Sequence, residues 1–374
     1  MTNREPKYQT LLNQLKQRIL DGTYAPGSRV PTELEWARTC GVSRITSRKA
    51  LELAAVQGLV ERFARRGTFV RHDARAVLER DRVAARRMIG IIQPDLSDSF
   101  GLEFFRTFQT RVQEQGLLTT TGISNDDMSV ENRLIKEFLD AGVHALVIKP
   151  VHNETFNNQI LRLIVDGFPI VLIDRYLRDV SCANVVSNNF QAAYDAMNYL
   201  YTLNHRNIGV LSRSIGSTTA LLEREKGLMH AVMQSSSRFR PQWFLRDLPD
   251  DAETNPDHAD EVHDRIRDFL VGNRDLTALF ALKHSFVPIV ERVAYELGRR
   301  IPEDLSIISF DAPRGYANRA KPLTHLKQNE HEMALQALDA VVCAMDDTPD
   351  RSARTVAVDL VVGSTTGPAP VLVS

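Results

Sequence analysis

The chain is poor in cysteine. Its three thiols, Cys40, Cys182 and Cys343, stand far apart in 374 residues. That spacing fits neither a disulfide framework nor the paired ligands of a zinc site, so free thiols in a reducing compartment are expected. Long apolar runs are also lacking. No stretch approaches the roughly 20 apolar residues of a membrane span, and no membrane partner is expected. The opening "MTNREPKYQTLLNQ" carries no apolar leader, which favours a cytoplasmic location. Three motifs of enzymes are missing as well: the G-x-G-x-x-G dinucleotide loop, the Walker loop and the H-E-x-x-H zinc helix. No catalytic residue, metal site or cofactor is assigned on this reading. A sugar-metabolising enzyme with a basic appendage therefore has no motif to carry it.

What is present is unevenly distributed. The overall charge is −1. Yet residues 1–87 hold 18 Lys and Arg against 9 Asp and Glu, a net of +9. The remainder holds 28 basic and 38 acidic residues, a net of −10. A small basic module on an acidic body suits a nucleic-acid-binding head, because attraction to phosphate dominates such affinity. At roughly 150 residues per domain, the length allows two or three domains.

The head begins with "YQTLLNQLKQRILDG", where Leu11, Leu12, Leu15, Ile19 and Leu20 recur at helical spacing before Gly22. After the turn-rich "YAPGSRVP", Thr32 and Glu35 form a capping box for a short helix that Gly41 ends. Ser43 can cap the next helix, "RITSRKAL", at once. Two short helices across a Gly-containing turn make a helix-turn-helix. Ser47, Ala50, Leu51 and Ala54 share the face suited to packing, while Arg44 and Arg48 share another, with Lys49 further round. "LVERFARRGTFV" then reads as two strands joined through Ala64–Gly67, a hairpin with cations at its tip.

These motifs, in this order and spacing, resemble the winged helix-turn-helix of GntR-family regulators. The resemblance covers about 65 residues and implies contact with double-stranded operator DNA. It makes Ser43, Arg44, Thr46, Arg48 and Lys49 the recognition-helix candidates, and Arg65, Arg66, Gly67 and Thr68 the wing candidates, with Lys7 beside them. Arg can bridge guanine O6 and N7, whereas Ser, Thr and Lys more often hold phosphate. Ser47 stands where the family usually has Val, so slightly weaker packing is expected there. The domain is taken as residues 1–72. The Arg-rich segment 73–87, without Gly or Pro, is read as a linker.

From Met88 the pattern changes. "MIGIIQP", "HALVIKP", "PIVLID", "NIGVLS", "LTALFAL" and "LSIISFD" are short apolar runs separated by amphipathic segments. The alternation predicts parallel sheets covered by helices, in two doubly wound lobes. Ligands of such sheets bind beyond the carboxyl ends of the strands. The polar residues there, including Asp95, Asp98, His152, Asp174, Arg175, Lys283, His284 and Asp311, predict a polar cleft for a polyhydroxylated ligand.

The run of motifs over 88–374 resembles the periplasmic-binding-protein-like effector domain of the LacI/GalR family. The combination with a GntR-like head resembles arabinose-repressor-like regulators. The fold class implied is α/β: an N-terminal winged helix-turn-helix plus a two-lobed, doubly wound body. The resemblance implies lobes of 88–180 with 329–348, and of 181–328 with 349–374, and crossings near Ser181, Asn329 and Pro349. It implies ligand contacts from Asp98, Phe100, Arg175, Asn189, Asp311 and Gln328, with Glu223–Gly227 as a loop adding one more side chain. Lys283 and His284 stand where the family has an Asn-Asp pair, and His152 where it has a small polar or acidic residue. His152 and Lys283 join the ligand set, and two potential cations in place of amide and acid raise the expectation of a carboxylate or phosphate on a sugar-like effector. The function implied is that of a homodimeric repressor released from its operator by this small molecule, with corepression as the opposite sign.

Overall fold

The computed structural model describes residues 6–84, 87–96, 100–151, 157–213, 218–235, 240–249, 255–312, 315–316, 322–346 and 351–370. They fall into two compact units, Met1–Arg86 and Arg87–Ser374.

The first unit contains α1 (Lys7–Leu20), α2 (Glu33–Cys40), α3 (Arg44–Val56), the hairpin β1 (Val60–Phe63) and β2 (Gly67–Val70), and α4 (Ala74–Ala84). Leu11, Leu12, Leu15 and Ile19 of α1 pack against Ala50, Leu51 and Ala54 of α3, around the fully buried Trp36. Each buried Leu or Ile side chain there contributes about 1.5–3 kcal/mol. The expected capping box is reciprocal: the Thr32 oxygen accepts from the Glu35 N–H, and the Glu35 carboxylate accepts from the Thr32 N–H at 2.8 Å. Gly41 takes φ 62 in the turn, and Ser43 Oγ accepts the Thr46 N–H at 3.2 Å.

Two expectations for this unit change. Ser47 is not a weak spot, because its buried hydroxyl donates to the Glu33 carbonyl at 2.6 Å and ties α3 to the start of α2. The segment expected as a linker is largely α4, whose Ala74 and Leu78 are buried in the head's own core.

The second unit has two six-stranded sheets. The first runs β13 (Ala353–Val356), β7 (Asn184–Ser187), β6 (Ile170–Ile173), β5 (Ala145–Ile148), β3 (Met88–Gln93) and β4 (Leu118–Ile123), all parallel. The second runs β14 (Val358–Val361), β12 (Thr324–Gln328), β11 (Ser306–Phe310), β10 (Ala278–Ala281), β8 (Ile208–Leu211) and β9 (Phe244–Leu245). It is parallel except for β14. In each sheet the first strand lies between the second and the third, so each has a switch point where flanking loops diverge.

In the first lobe α5 (Leu102–Glu114) and α12 (Glu330–Met345) cover one face, and α6 (Met128–Asp140) and α7 (Asn158–Val165) the other. In the second, α8 (Asn189–Thr202) and α9 (Thr219–Gln234) cover one face, and α10 (Pro256–Gly272) and α11 (Val287–Glu296) the other. Helices α8 and α9 approach so closely that a Cβ on Gly227 would lie 2.0 Å from the Phe190 carbonyl oxygen.

The chain crosses between lobes at Asn329, and at Asn188 and Ala357 rather than near Ser181 and Pro349. The reason is pairing: β7 and β13 hydrogen-bond to the first sheet, so residues up to 187 and through 356 belong to that lobe. Asn188 and Asn329 each cap the helix that starts on the far side of the crossing. Glu223–Gly227 is no loop but part of α9.

Candidate functional site

Two surfaces gather the residues picked out by chemistry. On the head, Arg44 opens α3 and its Nε lies 3.4 Å from Glu33. Arg48 lies 2.8 Å from Glu52, one turn along the helix. Arg62 of β1 reaches both carboxylates, at 2.7 Å from Glu33 and 3.8 Å from Glu52. The arginines of α3 remain well exposed, with side chains 72% and 64% accessible. Exposed pairs of this kind are weak, so another anion can displace the carboxylates. Lys49 sits 4.1 Å above the Tyr8 ring. Ser43 and Thr46 share the cap at the head of α3, so their hydroxyls are already engaged. In the wing, Arg65 at φ 64 and Gly67 at φ 113 make the turn, and Arg66 packs on Phe63. Lys7 is exposed at the start of α1.

In the second unit, a cavity of about 130 Å³ opens between the carboxyl ends of the two sheets. Its size suits one small ring. From the first lobe come Asp95 and Phe100 after β3, Lys149 after β5, and Asp174 and Arg175 after β6. The second lobe supplies Arg213 after β8, Arg224 from α9, Lys283 and His284 after β10, and Asp311 after β11. Gln328 closes the set at the Asn329 crossing, with Thr218, Ala220, Leu221 and Leu282 filling the wall.

The polar groups are held firmly. Lys149 Nζ lies 3.0 Å from Asp174 and 4.3 Å from the centre of the Phe100 ring. Arg175 donates to the Pro150 carbonyl at 2.7 Å and lies 3.7 Å from Asp174 and 3.8 Å from Asp126. Burial works against the Asp174 carboxylate, but Lys149 and Arg175 outweigh it and hold its pKa below the usual value. Arg224 donates to Asn189 Oδ1 and to the Leu282 carbonyl, both at 2.8 Å, and lies 3.5 Å over Phe310. Burial lowers its pKa to about 10. Burial raises the Asp311 carboxyl to about 7, against the pull of Arg224 and the hydrogen bonds from Gln328. Gln328 Nε2 reaches both Asp311 oxygens, at 2.9 and 3.1 Å, while its Oε1 accepts from Ser187 at 2.6 Å.

Of the expected ligand residues, Phe100, Arg175, Lys283, Asp311 and Gln328 line the cavity. Asn189 does not: it stands behind the wall and grips Arg224. Asp98 and His152 lie outside the described residues. Sequence reasoning missed Lys149, Arg213 and Arg224 as members of the set. Lys149 and Arg213 directly follow strand runs, the position that selected the others. Arg224 stood inside the stretch Glu223–Gly227, which carried no periodic hint of which residue faces inward.

Family models match both units. The model for bacterial regulatory proteins of the gntR family matches residues 7–70. That for periplasmic binding proteins and the sugar-binding domain of the LacI family matches 86–261, and a periplasmic binding protein-like domain matches 197–366. The chain joins a GntR-type head to a LacI-type body. Among curated proteins, the arabinose metabolism transcriptional repressor of Halalkalibacterium halodurans is 24% identical over 93% of this chain and 92% of its own. That of Geobacillus stearothermophilus is also 24% identical, over 90% of each chain. Among solved structures, the transcription regulator CcpA of Lactococcus lactis superposes with a TM-score of 0.65 at 17% identity, over 75% of this chain and 99% of its own. A sugar-binding transcriptional regulator of the LacI family from Escherichia coli, solved with phosphate, gives 0.62 at 20%, over 75% and 98%. The LacI-type body thus shares its fold with these proteins. No helix among the described residues is long and apolar enough to cross a membrane.

Proposed function

We propose that this chain is a cytoplasmic, ligand-responsive transcriptional regulator: a repressor that a sugar-like effector releases from its operator. One observation carries the reading. A winged helix with exposed arginines on α3 is joined to a two-lobed body whose charged cavity spans the lobes. The full-length relatives named as arabinose metabolism repressors support it.

On this reading Arg44 and Arg48 meet base edges and phosphates, and Arg65, Arg66 and Thr68 the backbone beside them. Two heads of a homodimer would read a two-part operator. The effector binds between the lobes and favours the arrangement in which it touches both. It acts on DNA only by binding the two arrangements unequally. No catalytic role is assigned.

The test is selection of operator sequences from a random DNA pool, followed by anisotropy titrations with and without pentoses, hexoses and their acids. A saturating sugar-like ligand should weaken operator binding at least about tenfold, the signature of an allosteric coupling of ordinary size. Tighter operator binding with the ligand would reverse the sign to corepression. Turnover of the ligand would favour an enzyme.

A further inference from the structure

Among the described residues that line the cavity, the charge is out of balance. The described lining carries five cations, Lys149, Arg175, Arg213, Arg224 and Lys283, against three carboxylates, Asp95, Asp174 and Asp311. Four of the cations belong to residues at most 9% exposed. An enclosed excess of positive charge is costly unless an anion shares the space.

The arrangement also divides across the cleft. Lys149 and Arg175 stand on the first lobe and share Asp174, with the partly exposed Asp126 3.8 Å from Arg175 at the edge of the pair. Arg213, Arg224 and Lys283 stand on the second. There Arg224 donates to two neutral acceptors, the Asn189 amide and the Leu282 carbonyl. Cations thus face cations between lobes joined by three crossings. A neutral ring leaves that opposition intact, whereas an anion between the sets attracts both.

Deepening the regulator reading, on which this rests, we propose that the effector is an anionic sugar derivative, its carboxylate or phosphate held between Lys149 and Arg175 on one lobe and Arg213, Arg224 and Lys283 on the other. The anion, rather than the ring, is the signal for lobe closure. The ring stacks on Phe100, and Asp311 with Gln328 takes its hydroxyls. Both Arg guanidinium forks and Lys ammonium groups suit an oxyanion. The neutral acceptors behind Arg224 fix its position without using up its charge.

The experiment pairs acids with neutral congeners of the same size on the full chain: D-galacturonate with D-galactose, D-gluconate with D-glucitol, and D-glucose 6-phosphate with D-glucose. Inorganic phosphate is a control for the bare anion. Thermal shift screens the set, and titration calorimetry gives affinities. At least one acid should bind roughly tenfold or more tightly than its neutral partner, the worth of one charge-assisted hydrogen bond. The carboxylate and phosphate arms then decide which group is read. Lys283→Gln, at a half-buried site, should erase most of that preference while the melting temperature without ligand stays near that of the parent. A neutral sugar that binds as tightly as its acid overturns the proposal, and so does a panel in which no acid raises the melting temperature. An operator titration on the same samples separates the two readings. An acid that binds but leaves DNA affinity unchanged would sink the regulator reading and spare this one, while a neutral sugar that releases DNA would do the reverse.

Discussion

Head and body use the same residue types in opposite solvents. On the head, arginines stand in water and share the half-buried Glu33 and the exposed Glu52, in the group Arg44, Arg48, Arg62, Glu33 and Glu52. In the body, Lys149, Arg175 and Arg224 are almost wholly enclosed and fixed by geometry. A screened charge acts over a distance of about 8 Å at physiological salt and attracts any polyanion. A buried charge acts only on what enters its space, but acts strongly because little water competes. The difference teaches that cation count alone does not locate a binding site. Accessibility decides whether a cation attracts a polymer or selects a small molecule.

The sharpest way to break the comparison is to destroy one side of it. Leu51 is 1% exposed in the head's core. Leu51→Asp would bury a charge there at a cost of about 4 kcal/mol or more, enough to unfold a small domain. Calorimetry of the full chain should lose the head's transition and keep the body's, with operator binding gone and effector binding retained. Loss of both would mean that the two units do not fold separately. Next in size, Arg224→Met leaves the Asn189 amide and the Leu282 carbonyl without their donor, a loss of about 2 kcal/mol or more. Effector affinity should fall about a hundredfold by calorimetry, equivalent to some 2.7 kcal/mol. DNA binding should persist but no longer respond.

The third prediction turns to the head. Arg44→Ala and Arg48→Ala should each lower operator affinity about tenfold and flatten its salt dependence, because a counterion-releasing contact is lost. The melting temperature should hardly move. Unchanged operator affinity in both variants would leave these arginines as solvated surface. The fourth concerns pH. Asp311 faces Arg224 of α9, Gln328 of β12, Asp174 after β6 and Glu330 of α12, and burial raises its carboxyl to about 7. Its protonated form removes a negative charge from the cavity. An anionic effector favours that form, so binding takes up protons and affinity should rise severalfold as pH falls from 8 to 6 through that value. Asp311→Asn should flatten the profile; a rise with increasing pH would refute the assignment. The smallest effect belongs to Glu33→Gln, which releases Arg44 and Arg62. The melting temperature should shift by no more than about 2 °C. Non-specific DNA affinity should rise slightly.

The sequence made the elements legible wherever two signals agreed. The capping box at Thr32 and Glu35, the apolar face of α3 and the Gly-marked wing each combined pattern with a stop or start signal. In the body, apolar runs followed by polar residues pointed to Arg175, Lys283 and Asp311, because the carboxyl ends of parallel strands converge. What could not be read depends on three-dimensional pairing. The crossings at Asn188 and Ala357 follow from β7 and β13 hydrogen-bonding to the first sheet, which no local pattern records. Asn189, expected as a ligand contact, stands behind the wall, and Arg224, which had no assigned role, stands in it. Which of two neighbouring polar groups faces a cavity is set by helix rotation against its neighbour. Ser47 likewise looked like a lost methyl until its hydroxyl had an acceptor across the helix turn.

The close approach of α8 and α9 has a consequence for change over generations. Gly227 lies one turn beyond Arg224 on α9, and Phe190 follows Asn189 on α8. Any side chain at Gly227 must push the helices apart by about an ångström, since no Cβ tolerates an oxygen at 2.0 Å. That shift would loosen the Asn189 hold on Arg224 and re-aim the cation without altering a single wall residue. Variants selected for a new inducer can therefore arise from behind the cavity. A library that randomises only the residues in view of the ligand would never sample them.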